Sequence, residues 1–245
     1  MRWTPEALAT ITGGRVLARA ERPIEGAFLD SRRPLAGGLF VPIVAARDGH
    51  DFIPDAVAGG ATAVLQARAL APLPGVTTIA VDDPLRALER LAVDARGRSA
   101  GPVVAITGSN GKTTTRALIA AALGSALPRV LCTQGNLNNH LGVPLTLVGG
   151  PEDPGAMVIE LGMSAPGEND HLARIVRPTH AVITSVALEH LEFMGSIEAI
   201  AAAEAETIAH VEPGGALVIP GDEPLLAAHV PRGGGPRVLS FGPGA

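Results

Sequence analysis

Short apolar runs separated by glycine and proline make up most of this chain. In the first part, runs with the length and β-branched content of strands lie at 38–44, 63–66 and 77–81. Helices are predicted over 53–60, which ends at two glycines, and over 84–96, which follows the capping residues Asp82 and Asp83. The first part of the chain is therefore predicted to be a small α/β domain.

After residue 102 the pattern becomes a regular alternation of strands and helices. Strands are predicted at 103–107, 129–132, 156–161, 180–186 and 215–220. Helices are predicted at 112–127, 170–176 and 197–211. Such alternation is typical of a parallel sheet covered by helices. The segment 96–102, rich in glycine and arginine, is the predicted domain boundary.

Composition narrows the classes of function. The chain has 245 residues, 2% aromatic residues and a net charge of −5, which argues against a nucleic-acid-binding surface. No run approaches the roughly 20 apolar residues of a membrane-spanning helix, and the N-terminus lacks the apolar region of a signal peptide. One cysteine, Cys132, excludes an internal disulfide and a cysteine-based zinc site. We expect a cytoplasmic protein with neither nucleic acid nor a membrane as partner.

Lys112 is the only lysine, against 18 arginines, and it lies between a glycine and two threonines after an apolar strand. In loops of this kind the backbone N–H groups cradle phosphate oxygens, the ammonium reaches the terminal phosphates and the threonine hydroxyl ligates Mg²⁺. Ile106 stands where the usual pattern has its first glycine, so the loop is a shorter variant. The predicted nucleotide-binding residues are Gly108, Ser109, Asn110, Gly111, Lys112, Thr113 and Thr114.

Further polar residues follow the predicted strands, at the edge where ligands bind in open α/β sheets. Glu160 ends one strand, His190 follows the next and Asp222 follows the last. Glu160 is a candidate Mg²⁺ ligand and His190 a candidate ligand of a second cation. The alternatives are a solvated strand-end glutamate and a surface histidine. Asn138 and Asn139 are candidate substrate-binding residues, with a solvated turn as the alternative.

The order of these segments resembles the Mur ligases, the ATP-dependent amide-forming enzymes of peptidoglycan precursor synthesis. The resemblance covers nearly the whole chain and is closest to the branch that adds D-alanyl-D-alanine. In the second part it rests on TGSNGKTT at 107–114, GNLNN at 135–139, ELG at 160–162, HLE at 190–192 and GS at 195–196. In the first part it rests on DSR at 30–32, LFV at 39–41 and DGHDF at 48–52.

The resemblance implies an α/β fold with two domains. A small uridine-nucleotide-binding domain at 1–84 and a connecting segment at 85–101 would precede a P-loop ATPase domain with a mostly parallel sheet at 102–245. ATP would phosphorylate the terminal carboxylate of a UDP-N-acetylmuramoyl tripeptide. The amine of D-alanyl-D-alanine would then attack the acyl phosphate and form an amide.

The resemblance also implies roles for individual residues. Lys112 and the loop N–H groups would hold the ATP phosphates. Thr113 and Glu160 would hold one Mg²⁺, and His190 would belong to a second. Residues Asp30, Ser31 and Arg32 would hold the uridine diphosphate, and Asn138 and Asn139 would face the substrate or the nucleotide.

Two features depart from the family. Its members carry a carbamylated lysine near the second Mg²⁺, and this chain has no lysine left for that role. Glu204 aligns at that position and is predicted to supply the carboxylate directly, as a catalytic and metal-binding residue. The alternative is that Glu204 and Glu206 are ordinary exposed helix residues.

The second departure is length, since the central domain is expected to be incomplete and the family's C-terminal domain absent. A separate C-terminal domain chain is therefore an expected partner. Two alternatives remain open: a sister Mur ligase that adds a single amino acid, and a non-catalytic module that binds a nucleotide or UDP-sugar.

Overall fold

The computed structural model describes residues 1–188, 191–231 and 233–243. The chain divides into two compact units. Met1–Arg98 and Leu147–Glu152 form the first unit, and the described residues of Ser99–Thr146 and Asp153–Ala245 form the second. The change between units at residue 98 falls within the segment 96–102. None of the helices in these described ranges is long and apolar enough to cross a membrane.

The first unit consists of short strands and three α-helices among the described residues. In chain order they are β1 Arg2–Trp3, α1 Pro5–Thr12, β2 Arg15–Ala18, β3 Ile24–Glu25, β4 Ala27–Phe28, β5 Leu39–Phe40, α2 Ile53–Ala58, β6 Ala63–Gln66, β7 Thr77–Ala80 and α3 Pro84–Gly97. One sheet has the order β2-β7-β6-β5-β4, with β2 antiparallel and the other pairs parallel. Strands β1 and β3 form a separate antiparallel pair.

A buried histidine ties the segment 48–52 to the sheet of this unit. His50 is 2% exposed, and its Nε2 accepts a hydrogen bond from the Ala67 N–H at 2.9 Å. The proton therefore lies on Nδ1, which donates to Asp48 Oδ1 at 2.6 Å. Hydrogen bonds from the backbone and side chain of His50 lower the pKa of the Asp48 carboxyl. These hydrogen bonds hold the segment 48–52, which directly precedes α2, against the end of β6.

The second unit alternates strands and helices. Its elements are β8 Val103–Thr107, α4 Lys112–Gly124, β9 Val130–Cys132, α5 Gly142–Gly149, β10 Ala156–Glu160, α6 Glu168–Val176, β11 His180–Ile183, α7 Leu191–Met194, α8 Ile197–Ala205, β12 Ala216–Pro220, α9 Pro224–Ala227 and β13 Arg237–Phe241. Helix α5 runs from this unit into the segment that belongs to the first. The single helix predicted over 197–211 is instead α8 followed by a 3₁₀ turn at Glu206–His210.

All the paired strands of the second unit are parallel, in the order β13-β12-β11-β8-β10-β9 within the described residues. Alternate side chains of β11 show how both faces are covered. Val182 packs in a cluster with Ile119 of α4, whereas Ala181 and Ile183 pack in a cluster with Ala201 of α8. The predicted α/β class with a mostly parallel sheet is confirmed.

Helix α3 offers a test of packing in the first unit. Leu88 is fully buried on this helix, whereas Val93 is 39% exposed. We expect Leu88→Ala to lower the free energy of unfolding of this unit by about 2–5 kcal/mol, since it removes buried methyl groups and leaves a cavity. The exposed control Val93→Ala should change it by less than about 0.5 kcal/mol. Urea unfolding followed by circular dichroism measures both; equal losses would contradict the assignment of Leu88 to the core.

Candidate active site

The phosphate loop joins β8 to α4 and contains two glycines with positive φ. Gly108 has a φ of +118° and Gly111 a φ of +85°. A Cβ atom on Gly108 would collide with the hydroxyl of Thr184, whereas one on Gly111 would meet nothing closer than 3.9 Å. Gly108 is therefore required for both its conformation and its lack of a side chain, and Gly111 for its conformation alone.

The first three N–H groups of the loop donate hydrogen bonds within the protein. The Gly108 N–H donates to the Glu204 carboxylate, with 2.7 Å between the nitrogen and Oε2. The Ser109 N–H donates to the Ser185 carbonyl at 2.9 Å. The Asn110 N–H donates to the Ser185 hydroxyl at 3.0 Å. These three residues, predicted to bind nucleotide, use their N–H groups to hold the loop itself.

The next four N–H groups, at 111–114, have no hydrogen-bond acceptor among the described residues. They lie at the start of α4, where the first turn leaves N–H groups without intrahelical partners and the helix dipole adds positive potential. Phosphates bind at helix N-termini for both reasons. The donors open to an anion are therefore those of 111–114 and not those of the whole loop.

The ammonium of Lys112 lies over the same loop. Its Nζ donates to the carbonyl oxygens of Gly108 and Ser109, the second at 3.2 Å. Both acceptors are uncharged, so neither contact neutralises the positive charge of the ammonium. Lys112 is thus held beside the open N–H groups with its charge available to an anion.

Glu160 is the second centre of the site and is 3% exposed at the end of β10. Its Oε2 accepts the Thr113 hydroxyl at 3.2 Å and lies 3.1 Å from Nη1 of Arg116. Its Oε1 accepts the side-chain amide of Asn138 at 3.0 Å. A solvated strand-end glutamate would be exposed, so this alternative is wrong for Glu160.

The oxygens of Thr113 and Glu160 fit one magnesium ion. They are 3.2 Å apart, and two adjacent ligands of an octahedral Mg²⁺ are roughly 2.9 Å apart. No group of three or more His, Cys, Asp or Glu side chains in the described part of the chain is arranged to hold a metal. The remaining ligands would be water and phosphate oxygens, which Mg²⁺ commonly keeps.

Glu204 is 2% exposed, so it is not an ordinary exposed helix residue. Besides the Gly108 N–H, its Oε2 accepts a hydrogen bond from Nδ2 of Asn169 at 3.3 Å. Glu206 has a different role, since its carboxylate accepts the N–H groups of Gly167 and Asp170 at 2.7 and 3.0 Å and so caps α6. The predicted role of Glu204 as a ligand of a second cation stays a prediction.

The two asparagines predicted to bind substrate have different surroundings. The side-chain amide of Asn138 donates to Glu160, and the backbone carbonyl of Asn138 accepts the Gly162 N–H at 2.8 Å. The side-chain oxygen of Asn139 instead accepts the N–H groups that begin α5, including that of Gly142 at 2.9 Å. Asn139 also lines a cavity of about 360 Å³ beside Gly162 and His171. Their roles toward a substrate stay predictions.

In the first unit, Asp30, Ser31 and Arg32 line a cavity of about 520 Å³ together with Arg47 and Phe52. This volume lies within the roughly 300–1,000 Å³ of small-molecule sites. The Arg32 guanidinium donates two hydrogen bonds to the Asp30 carboxylate, from Nε at 2.8 Å and from Nη2 at 2.9 Å. These bonds, with one from the Arg32 backbone, lower the pKa of Asp30 to about 2.

Two further residues, His190 and Asp222, were predicted at the same sheet edge. His190 lies outside the described residues, so its role stays a prediction. Asp222 is exposed after β12. Sequence reasoning missed Arg116, Thr184 and Asn169. Arg116 carried a signal, since it lies one helical turn after Lys112; the others are placed by contacts between elements distant in sequence.

The fold and the loop together define a P-loop nucleotide-binding protein of the α/β class. Residues 106–245, more than half of the chain, match the family model described as the Mur ligase middle domain. The chain belongs to the Mur ligase family.

Curated relatives and solved structures point to one branch of that family. The UDP-N-acetylmuramoyl-tripeptide--D-alanyl-D-alanine ligases of Bacillus subtilis and Escherichia coli are 43% and 36% identical over 83% and 89% of this chain. Acinetobacter baumannii MurF superposes with a TM-score of 0.89 at 31% identity over 100% of this chain. Thermotoga maritima MurF in complex with ADP superposes with a TM-score of 0.78 at 33% identity over 89%. The chain spans about half the length of these proteins, 45%, 48%, 54% and 50% respectively.

The Asp30–Arg32 pair predicts a measurable titration. We expect the Asp30 carboxyl to titrate at about 2, and Arg32→Ala to return its pKa toward the ordinary value of 3.8 by removing the main hydrogen bonds. Because the folded-state pKa is the lower one, the pair stabilises the fold above the ordinary value and ceases to do so as pH falls through about 2. Carboxyl ¹³C NMR measures the titration. Arg33→Ala is the control, since Arg33 contributes least to the shift; an equal effect would contradict the pairing.

Proposed function

We propose that this chain carries the ATP-binding and uridine-nucleotide-binding parts of an enzyme that adds D-alanyl-D-alanine to a UDP-N-acetylmuramoyl tripeptide, in peptidoglycan precursor synthesis. One observation carries the proposal: the unpaired N–H groups at 111–114 lie beside a buried carboxylate, Glu160, within hydrogen-bonding distance of Thr113. The names of the similar ligases support the particular reaction. The complex of Thermotoga maritima MurF with ADP supports the nucleotide.

In this proposal the loop places ATP for attack on its γ-phosphorus. The N–H groups at 111–114 and the Lys112 ammonium hold the β- and γ-phosphates and stabilise the charge that spreads over the transferred group. The peptide carboxylate takes the phosphoryl group and ADP leaves. The amine of D-alanyl-D-alanine then attacks the acyl carbon, phosphate leaves, and the amide forms.

Thr113 and Glu160 would hold one Mg²⁺, which would neutralise phosphate charge during transfer. Asn138 keeps Glu160 oriented through its amide contact with Oε1. His190 and Glu204 are proposed for a second cation. Asn138 and Asn139 are proposed to face the substrate, and residues 30–32 to hold the uridine diphosphate in the cavity of the first unit.

Replacement of the only lysine tests the assignment of the phosphate site. We expect Lys112→Met to lower the rate of ATP-dependent phosphate release by about 100-fold or more, because one charged donor to the transferred group is lost. The rate is measured with the full gene product, in the presence of the UDP-muramoyl tripeptide and D-alanyl-D-alanine. The control is Arg237→Ala, because Arg237 is exposed on β13. A Lys112→Met rate equal to that of the control would contradict the assignment.

The acceptor separates this function from its rivals. Phosphate release that depends on D-alanyl-D-alanine supports the proposal. Release with a single amino acid but not with the dipeptide would indicate a sister ligase. Calorimetric binding of MgADP and the UDP-muramoyl tripeptide without any phosphate release would indicate a non-catalytic module.

A further inference from the structure

The Gly108 N–H differs from the other N–H groups of the phosphate loop, because it donates to a buried carboxylate, that of Glu204 on α8. The distance of 2.7 Å from the nitrogen to Glu204 Oε2 is in the range of charge-assisted hydrogen bonds. Gly108 cannot be replaced by a residue with a side chain, as its Cβ would collide with Thr184. The orientation of the first peptide plane of the loop is thus set by two contacts, one steric and one polar.

Glu204 is itself held from two sides. Asn169, fully buried on α6, donates its Nδ2 to Glu204 Oε2 at 3.3 Å and to the Ala203 carbonyl at 3.1 Å. The Thr107 hydroxyl at the end of β8 lies 3.4 Å from the Glu204 carbonyl. A buried carboxylate needs such donors, since without them its burial is costly. The end of α8 is therefore fixed to α6 and to the strand that leads into the loop.

We propose that Glu204 and Asn169 are positioning residues that anchor the phosphate loop through the Gly108 N–H, so that the N–H groups at 111–114 are presented to phosphate. The inference rests on the proposed function, because it concerns how that phosphate site is built. It assigns Asn169 a role, and it gives Glu204 a role separate from the proposed second cation, one for which a hydrogen-bond acceptor at the position of Oε2 is sufficient.

The use of a single oxygen makes the inference testable. The Gly108 and Asn169 hydrogen bonds both go to Oε2 of Glu204. A glutamine whose amide oxygen occupies that position keeps both bonds and loses the charge, whereas alanine loses both. An anchor therefore distinguishes E204Q from E204A. A cation ligand does not, because neither variant supplies a carboxylate.

The first measurement is the binding of MgADP to the full gene product. We expect E204A to weaken the affinity about 10-fold, the effect of one lost hydrogen bond of this kind, and E204Q to recover most of that loss. Asn169→Ala should weaken it by about threefold, since Glu204 keeps its acceptor but loses its orientation. Glu198→Ala, exposed on the same helix, is the control.

Hydrogen exchange at the Gly108 amide gives a readout independent of nucleotide affinity. Its protection should persist in E204Q and fall in E204A, relative to the Ser109 amide, which donates to the Ser185 carbonyl and not to Glu204. If E204A does not fold, E204Q and Asn169→Ala carry the comparison, with Asn169→Ala the weaker binder and the less protected at Gly108.

The outcomes separate this inference from the function on which it rests. Equal losses of MgADP affinity in E204Q and E204A would overturn the anchor and indicate a role for the carboxylate charge. Wild-type affinity in E204A would also overturn it. A wild-type protein that does not bind MgADP would overturn the proposed function, and the anchor with it.

Discussion

The hydrogen bonds of the phosphate loop are the constraint on which the site depends. A tight loop must pair its N–H groups, yet a phosphate site needs unpaired ones. The structure meets both needs by division: the N–H groups at 108–110 are paired within the protein, and those at 111–114 are open. The paired set fixes the loop to the segment after β11 and to α8. The parallel order of the sheet makes this possible, because β8 and β11 are neighbours whose ends lie together.

Glu160 links that loop to the neighbouring strand β10 and collects three donors, from Thr113, Asn138 and Arg116. Arg116 and Thr113 both contact Oε2, with Nη1 of Arg116 at 3.1 Å. A cation ligated by Oε2 must therefore share this oxygen with Arg116 or displace it. In a chain with one lysine, arginine is the cation that remains to balance a buried carboxylate, and the site is built around that pairing.

The sequence predicted most of the longer strands and helices between residues 53 and 220. Strands β6 and β8 have the predicted bounds, and α3 and β12 differ by a residue. It did not predict the two-residue strands β1, β3 and β4, because two residues show no periodicity. The other elements that it missed are β2, β13, α1, α5, α7 and α9. The neighbourhood of Thr113 and Glu160 could be predicted because both follow adjacent strands of a parallel sheet. The Gly108 contact could not, since it joins residues 96 positions apart through a packing of α8 that no local pattern encodes.

The resemblance aligns Glu204 with the carbamylated lysine of the family, and the two side chains differ in length. A carbamylated lysine carries its carboxylate several bonds further from the backbone than glutamate does. A short side chain at this helix position reaches the loop N–H at 2.7 Å, close to its own helix. A longer side chain in the same direction would carry its carboxylate past the Gly108 N–H. Side-chain length therefore decides which group pairs with the Gly108 N–H. Glutamate accepts its hydrogen bond, whereas a carboxylate on a longer side chain would leave that N–H to another acceptor.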